Sequence, residues 1–451
     1  APPSEQPYWN SEIETISPDR LAALQLHKLR GQVRYLAQNS AMYKETFSAS
    51  AFVPEDLKTV DDLAQLPFTT KDKMRKSQES YPPFGYHQAA PSERVVRVTT
   101  TAGTTGRPVV QAYTRRDVMH RNESVCRALW SFGVRPGDRV INGFALSMFN
   151  AGVPFCTAIE HLGATSIPAG AEKKAEGLLR IAKDLSATVL IATPSFARYL
   201  AERCSDILGI EARDLGIRIV GGGGEPGFEL DGVRQELEAA WGTTSIFDLA
   251  STSDAHPNSF ANCSCRTGKH HLTGDMVLVQ LIDPISGKLI EIADGSVGEY
   301  IFTHLDREAC PLLRYRTNDI VKVSTKPCPC GRTSFRVDII GRSDDMLIVR
   351  GMNVFPSAVQ SIVARFRPAL SGRMQIMLDA PGPAVVPPLQ VVVERSVSTG
   401  IHDLAALKSR VEIAIRETLS VTATITILEP DVLEPTTGKA KLIFVRPSLT
   451  P

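Results

Sequence analysis

The sequence predicts an α/β protein. It has a large amino-terminal domain of parallel sheets with helical crossovers plus a barrel-like subdomain, followed by a small carboxyl-terminal α+β domain. Three observations predict this. In the middle of the chain short β-rich runs alternate with helical stretches, the pattern of parallel strands joined by helices. Near residue 270 the alternation gives way to strand runs paired across an Asp-Pro turn. After GRSDDMLIVRG a third texture of about 105 residues begins, an ordinary domain size. The expected domains are residues 1–342 and 343–451.

The elements follow in chain order. Ala22, Leu26, Leu29, Val33 and Leu36 recur at helical spacing, so residues 18–47 open as a helical segment. RVVRVTT reads as a strand running into TTTAGTTGRP, residues 99–108. RVING, TVLIATP, IRIVGGGG and SIFDLAS read as further strands, separated by helical stretches such as KKAEGLLRIAKDL. VLVQLIDPISGKLIEI and GEYIFTHL read as antiparallel strands. Past the hinge Pro356 opens a helix, strands follow at MQIMLD and LQVVVERS, Leu404, Leu407, Val411 and Ile415 share one helix face, and ITILEP closes the unit.

At 451 residues the chain exceeds one hydrophobic core, which agrees with two domains. Lysine and arginine number 50 against 49 acids, so no field of one sign draws in nucleic acid or anionic lipid, and a small molecule is the expected partner. ALSMFNAGVPFCTAI is the most apolar central stretch, but Asn150, Gly152 and Pro154 break it, and no membrane span is expected. APPSEQPYWN lacks the basic start and apolar run of a secretory signal, so a cytoplasmic location is expected, with a homodimer left open. Eight cysteines in that setting are thiols or metal ligands rather than a disulfide framework.

TTTAGTTGRP packs five threonines into ten positions. Two chemistries fit it: a turn punctuated by Gly106 and Pro108, or an anion loop in which backbone N–H groups and hydroxyls hold phosphate. It is not a Walker sequence. Its company decides, because TAGTTGRP is followed in order by GGGGEP (221–226), FDLASTSD (247–254), YRTND (315–319), GRSDDMLIVRGMNVFP (341–356) and PTTGKAK (435–441). This set resembles the motifs of the adenylate-forming superfamily. WNSEIETIS, LQLHKLRGQVRYLAQNS, LAQLPFTTKDKMR and NVFP look like its phenylacetate–CoA ligase branch, so that the resemblance covers essentially the whole chain.

The resemblance implies an AMP-forming acyl-CoA ligase that uses ATP, Mg²⁺ and coenzyme A. An acid attacks the α-phosphate of ATP to give acyl-AMP and pyrophosphate, and coenzyme A then displaces AMP. Residue by residue, it places Thr101, Gly103, Thr104, Thr105 and Gly106 on the phosphates, and Gly223, Gly224, Glu225 and Pro226 against adenine. Asp248 and Ser253 are assigned to the nucleotide site, and Asp319 to the ribose hydroxyls. Lys439 serves the first step and Arg342 contacts phosphate. Asp254, one methylene shorter than the family's glutamate, faces Mg²⁺. Asp344 stands at the pivot about which the small domain turns between steps. Taken alone, Lys439 is a solvated loop lysine, Asp319 a turn cap, and Arg342 with Asp344 an interdomain ion pair.

Cys263-Ser-Cys265, followed by His270 and His271, and Cys328-Pro-Cys330-Gly offer soft ligands for a tetrahedral structural zinc. The resemblance selects Cys263, His270, Cys328 and Cys330, with Cys265 or His271 as substitutes. Reduced surface thiols are the plain alternative. Cys126, Cys156, Cys204 and Cys310 lie among apolar residues and read as buried thiols.

Substrate choice is read from departures. The branch's motif tyrosine is replaced by Ala250, and AHPNSFANC brings His256, Asn258 and Ser259 where the phenylacetate enzymes are glycine-rich and apolar. FALSMFNAGVPF aligns with the pocket wall and offers Phe144, Phe149 and Asn150. Buried polar groups want a polar partner, so a small hydroxylated acid is expected, as in the 2-hydroxyisobutyrate–CoA ligases of this branch. The alternatives are an aryl acid (phenylacetate, hydroxybenzoate or anthranilate), or loading of a carrier protein in place of coenzyme A. In the plain reading these side chains cap the following loop.

Overall fold

The structure is a computed structural model that describes residues 2–3, 5–101, 108–250, 252, 254, 259–350, 352–396, 404–433 and 442–446. The chain divides into two compact units. The larger comprises residues 1–223, 237–317 and 322–338, and the smaller comprises 224–236, 318–321 and 339–451.

Helices Ser11–Glu14, Pro18–Asn39 and Ala41–Ala49 open the larger unit. Proline at the start of the second helix suits the first turn, where its missing N–H costs nothing, and Leu29, Gln32, Val33 and Leu36 form the buried stripe.

A twelve-stranded sheet runs in the order Leu289–Ile290, Val277–Ile282, Val297–His304, Tyr315–Ser324, Arg336–Arg342, Lys269–His271, Phe260–Ala261, Ile246–Ala250, Ile219–Gly223, Val189–Ala192, Arg139–Asn142 and Thr165–Ile167. The strands between Thr165–Ile167 and Ile246–Ala250 pair in parallel. Phe260–Ala261 then pairs antiparallel to Ile246–Ala250, about ten residues earlier than the expected change near residue 270. The reason is length: the connection, residues 251–259, is shorter than the dozen or so residues a parallel crossover needs. The antiparallel strands continue the same sheet.

Strand Ile219–Gly223 shows why this stretch is glycine. A Cβ on Gly222 would sit 1.8 Å from the Ala192 carbonyl oxygen, and one on Gly223 would sit 2.2 Å from that of Leu249. No other residue lets three strands close there. Beside it Phe132 and Phe247 stack at 4.9 Å. They join a core of Leu129, Trp130, Phe155, Ile159, Ile191 and Ile219 between the helices Arg115–Ser131 and Val153–Leu162 and the sheet.

The smaller unit has a sheet ordered Ala423–Leu428, Leu389–Arg395, Leu370–Leu378, Ile443–Val445. Helix Pro356–Ala364 buries Val359, Ile362 and Val363 in its core, and helix Leu404–Leu419 buries Leu407, Val411 and Ile415. A hairpin of Leu347–Val349 with Met352–Val354 precedes them where the sequence reading placed only a hinge. The signal was present in apolar runs on either side of Arg350-Gly, and Arg350 takes a left-handed turn at φ 49°. No helix among the described residues is long and apolar enough to cross a membrane.

Candidate active site

The threonine loop is framed by an antiparallel pair, Val95–Thr100 with Val110–Thr114, in which Thr100 faces Val110. Just beyond, the Thr101 N–H donates to the Val109 carbonyl at 3.0 Å and the Val109 N–H donates to Thr101 Oγ1 at 3.1 Å. These two bonds close the neck of residues 102–107. Thr101 is buried, and its hydroxyl oxygen accepts from the Val109 N–H. Gly103, Thr104, Thr105 and Gly106 lie outside the described residues.

The same neck holds the expected pocket wall. The Thr100 N–H donates to the Met148 carbonyl at 2.8 Å, so residues 144–150 are fastened to the loop stem. The rings of Phe144 and Phe149 lie 6.2 Å apart, and Asn150 is buried beside them. Arg121 holds Asn150: its Nη2 donates to the backbone carbonyl at 2.7 Å and to Oδ1 at 2.8 Å. Arg121 is itself 0% exposed, with its guanidinium 4.9 Å over the Tyr113 ring, which Arg307 also faces at 4.4 Å. Burial pulls the Arg121 pKa down to about 10, so the side chain stays charged at neutral pH.

The strand Ile219–Gly223 ends buried at Gly223, after which Gly224 and Pro226 are exposed and Glu225 is half-buried. Asp248 turns to Lys269, Oδ2 to Nζ at 3.1 Å. Ala250 pairs with Phe260. Asp254 is buried and accepts from Gln111 Nε2 at 3.0 Å. Ser253, His256 and Asn258 lie outside the described residues, and Ser259 is buried.

Asp319, Arg342 and Asp344 form one cluster. Arg342 donates from Nη1 to Asp319 Oδ1 at 2.8 Å, from Nε to Asp344 Oδ1 at 2.8 Å, and from Nη2 to Asp344 Oδ2 at 2.7 Å. Partial burial works against the guanidinium's charge, but the Asp344 hydrogen bonds and the Asp319 charge outweigh it and hold its pKa above the usual value. Asn318 Nδ2 adds a 3.3 Å bond to Asp344. Lys439 lies outside the described residues.

Cys263, His270, Cys328 and Cys330 bring their ligand atoms within 4.8 Å of one another. Cys263 and Cys328 sulfurs are 3.7 Å apart, and Cys330 Sγ is 3.4 Å from His270 Nε2. A tetrahedral zinc bound at ordinary lengths holds two sulfurs about 3.8 Å apart, and a sulfur and a nitrogen about 3.6 Å apart, so the four residues fit that ion. His270 Nδ1 lies 3.3 Å from both Ser334 O and Oγ, which orients the ring with Nε2 toward the sulfurs. Cys265 is not in the group. His271 points to the other face of its strand and packs between Phe260 and Phe335, 5.2 Å from each ring. Cys126, Cys156, Cys204 and Cys310 are buried free thiols.

Two residues of this region escaped the sequence reading. Arg121 had a signal: Asp117, Arg121, Val125 and Ala128 share the buried face of helix Arg115–Ser131, where a charge at a core position asks for a partner. Gln111 had none, because nothing local marks a glutamine whose partner lies 143 residues away.

The family of AMP-binding enzyme C-terminal domains matches residues 351–446. The chain is 31% identical over 438 residues to the phenylacetate–coenzyme A ligase of Thermus thermophilus, covering 94% of this chain and 95% of that protein. It is 32% identical over 440 residues to the phenylacetate–coenzyme A ligase of Aromatoleum evansii, covering 96% of each. Among solved structures it is similar to a 2-hydroxyisobutyryl-CoA ligase in the postadenylation state in complex with 2-HIB-AMP. The TM-score is 0.90 and the identity 25%, over 99% of this chain and 94% of that one.

Proposed function

The chain belongs to the phenylacetate–CoA ligase family of AMP-forming acid–thiol ligases, and from that premise we propose that the acid it activates is small and hydroxylated. It joins a carboxylic acid to coenzyme A in two steps: acid and ATP give acyl-AMP and pyrophosphate, then acyl-AMP and coenzyme A give acyl-CoA and AMP. A carboxylate is a poor electrophile, and adenylation converts one of its oxygens into a leaving group.

In this reading Asp319 accepts from the ribose hydroxyls, and Gly223, Gly224, Glu225 and Pro226 form the adenine turn, with Asp248 and Ser253 nearby. Thr101 with Gly103, Thr104, Thr105 and Gly106 grips the phosphates. Lys439 and Arg342 stabilise the charge that develops as pyrophosphate leaves. Mg²⁺, when bound, neutralises phosphate charge, and Asp254 is the carboxylate that would hold it. The division at residues 342/343, with Asp344 as pivot, belongs to the same reading. So does a structural zinc on Cys263, His270, Cys328 and Cys330, which would clamp segments far apart in sequence. We place the protein in the cytoplasm, with small molecules rather than nucleic acid or membrane as partners and homodimerisation left open.

What carries the substrate proposal is the likeness to the 2-hydroxyisobutyryl-CoA ligase complex over nearly the whole chain. A polar Asn150 in a wall otherwise made by Phe144 and Phe149 supports it. The curated relatives favour the second reading, an aryl acid such as phenylacetate. Acid-dependent pyrophosphate exchange tests both, using 2-hydroxyisobutyrate, isobutyrate, phenylacetate, hydroxybenzoate and anthranilate, followed by thioester detection with coenzyme A or a carrier protein. The proposal expects 2-hydroxyisobutyrate to exceed isobutyrate by at least about tenfold in kcat/KM, the scale of one matched buried polar group. Preference for phenylacetate overturns it.

A further inference from the structure

We infer that Gln111 is a positioning residue for Asp254, setting the direction in which that carboxylate presents its oxygens to the metal that accompanies ATP. The inference rests on the reading of Asp254 as the magnesium carboxylate. It concerns how a shorter acid than the family's glutamate is made to serve.

The geometry is specific. Gln111 belongs to strand Val110–Thr114, just past the threonine loop, and sits opposite Thr99 in the strand that enters that loop. Its side chain is 1% exposed, and its Nε2 donates to Asp254 Oδ1 at 3.0 Å. Asp254 is 5% exposed and 143 residues further on. One hydrogen bond therefore ties the stem of the phosphate loop to the carboxylate whose stretch follows strand Ile246–Ala250. A buried carboxylate needs donors to offset its lost hydration, and an amide donor satisfies one oxygen without adding a competing charge. An aspartate has two side-chain torsions. Holding Oδ1 from a paired strand restricts both torsions, and with them the bearing of Oδ2. Groups that orient a metal-binding carboxylate act through it and never touch the metal.

The test uses the full-length protein with Gln111→Met, which keeps length and apolar stem but cannot donate. Gln111→Asn, which keeps the amide one methylene short, serves as the second variant, and Asp254→Asn as reference. Binding of Mn²⁺ in the presence of ATP and absence of acid, followed by paramagnetic resonance, reads the metal without turnover. Thermal unfolding checks each fold, and Mg²⁺ dependence of pyrophosphate exchange gives the kinetic counterpart. The expected result is Mn²⁺ binding weakened about 10–100-fold in both Gln111 variants, the usual effect of losing a group that orients a metal ligand. At saturating metal the KM for ATP should move by less than about threefold, and Gln111→Met added to Asp254→Asn should weaken the metal by less than about twofold more, since the carboxylate that Gln111 orients is already gone. Normal metal binding in folded Gln111 variants beside weakened binding in Asp254→Asn overturns the inference and leaves the reading of Asp254 standing. Normal binding in all three overturns both.

Discussion

Arg342 donates to Asp319 at 2.8 Å, so the cation read as a phosphate contact is ion-paired to the carboxylate read as the ribose acceptor. The two positions are 23 residues apart, and Asp344 takes the remaining edge of the same guanidinium. Asp319→Asn removes the charge from the acceptor of one of the three hydrogen bonds that hold Arg342. Hydrogen bonds to charged groups are worth about 1.5–3 kcal/mol, so the KM for ATP in pyrophosphate exchange should rise about 10–100-fold while that for the acid moves little. An unchanged ATP response would remove Asp319 from the nucleotide site.

Lys439→Ala should separate the half-reactions. Acyl-AMP formation should fall by at least about 100-fold, the scale of losing one preorganised charge at the reacting phosphate. Thioester formation from supplied acyl-AMP should stay within a few-fold of the parent, read in single turnovers. Equal loss in both steps contradicts the role assigned to this lysine.

Arg121→Met sets two effects against each other. The variant removes the two hydrogen bonds that Arg121 donates to Asn150, at about 1–3 kcal/mol, yet it also removes a fully buried charge that has no carboxylate ion pair among the described residues. These terms offset, so the denaturant midpoint should change little. The loosened Asn150 should instead raise the KM for the acid several-fold and leave that for ATP near its parent value. A large loss of stability with unaltered acid KM would make Arg121 structural only.

Metal analysis of the purified protein should find about one zinc per chain. Cys328→Ser should reduce that content and lower the unfolding temperature, because the four ligands tie the region of Cys263 to that of Cys330. A chelator should do the same to the parent. Full stability in a zinc-free preparation would show the cluster to be reduced thiols.

His87 is 1% exposed beside Ser77, and burial, aided by the charge of Arg307, pulls its pKa from 6.5 to about 4. The unfolded chain therefore takes up a proton that the folded chain refuses, and stability is lost as pH falls from about 6.5 toward 4. At pH 5 this amounts to about 2 kcal/mol relative to pH 7.5. Urea unfolding at both pH values should show His87→Asn, which keeps a group near Ser77, losing about that much less than the parent. Identical pH dependence would show that His87 does not carry the effect.

Much of the fold is legible in the sequence. The helix Pro18–Asn39, the parallel strands through Ile246–Ala250 and the amphipathic helix Leu404–Leu419 follow from local periodicity, which burial simply obeys. The change to antiparallel pairing falls earlier than the sequence shows because Phe260–Ala261 is a two-residue strand with no pattern of its own. The hairpin at Leu347–Val349 carries little local signal because its strands are only three residues each.

By itself the sequence determined the order of the motifs, and through them the family, the two half-reactions and a short set of candidate ligands, since each motif is a contiguous stretch whose chemistry travels with it. Tertiary structure alone decided the pairings across distance. His270 rather than His271 turns to the sulfurs, because neighbouring residues of a strand face opposite ways and the sheet sets which way is in. Arg121 meets Asn150, and Gln111 meets Asp254, because helix packing and strand register bring together residues with no local signal of each other. Such contacts depend on the whole core closing around them, and no window of sequence contains that information.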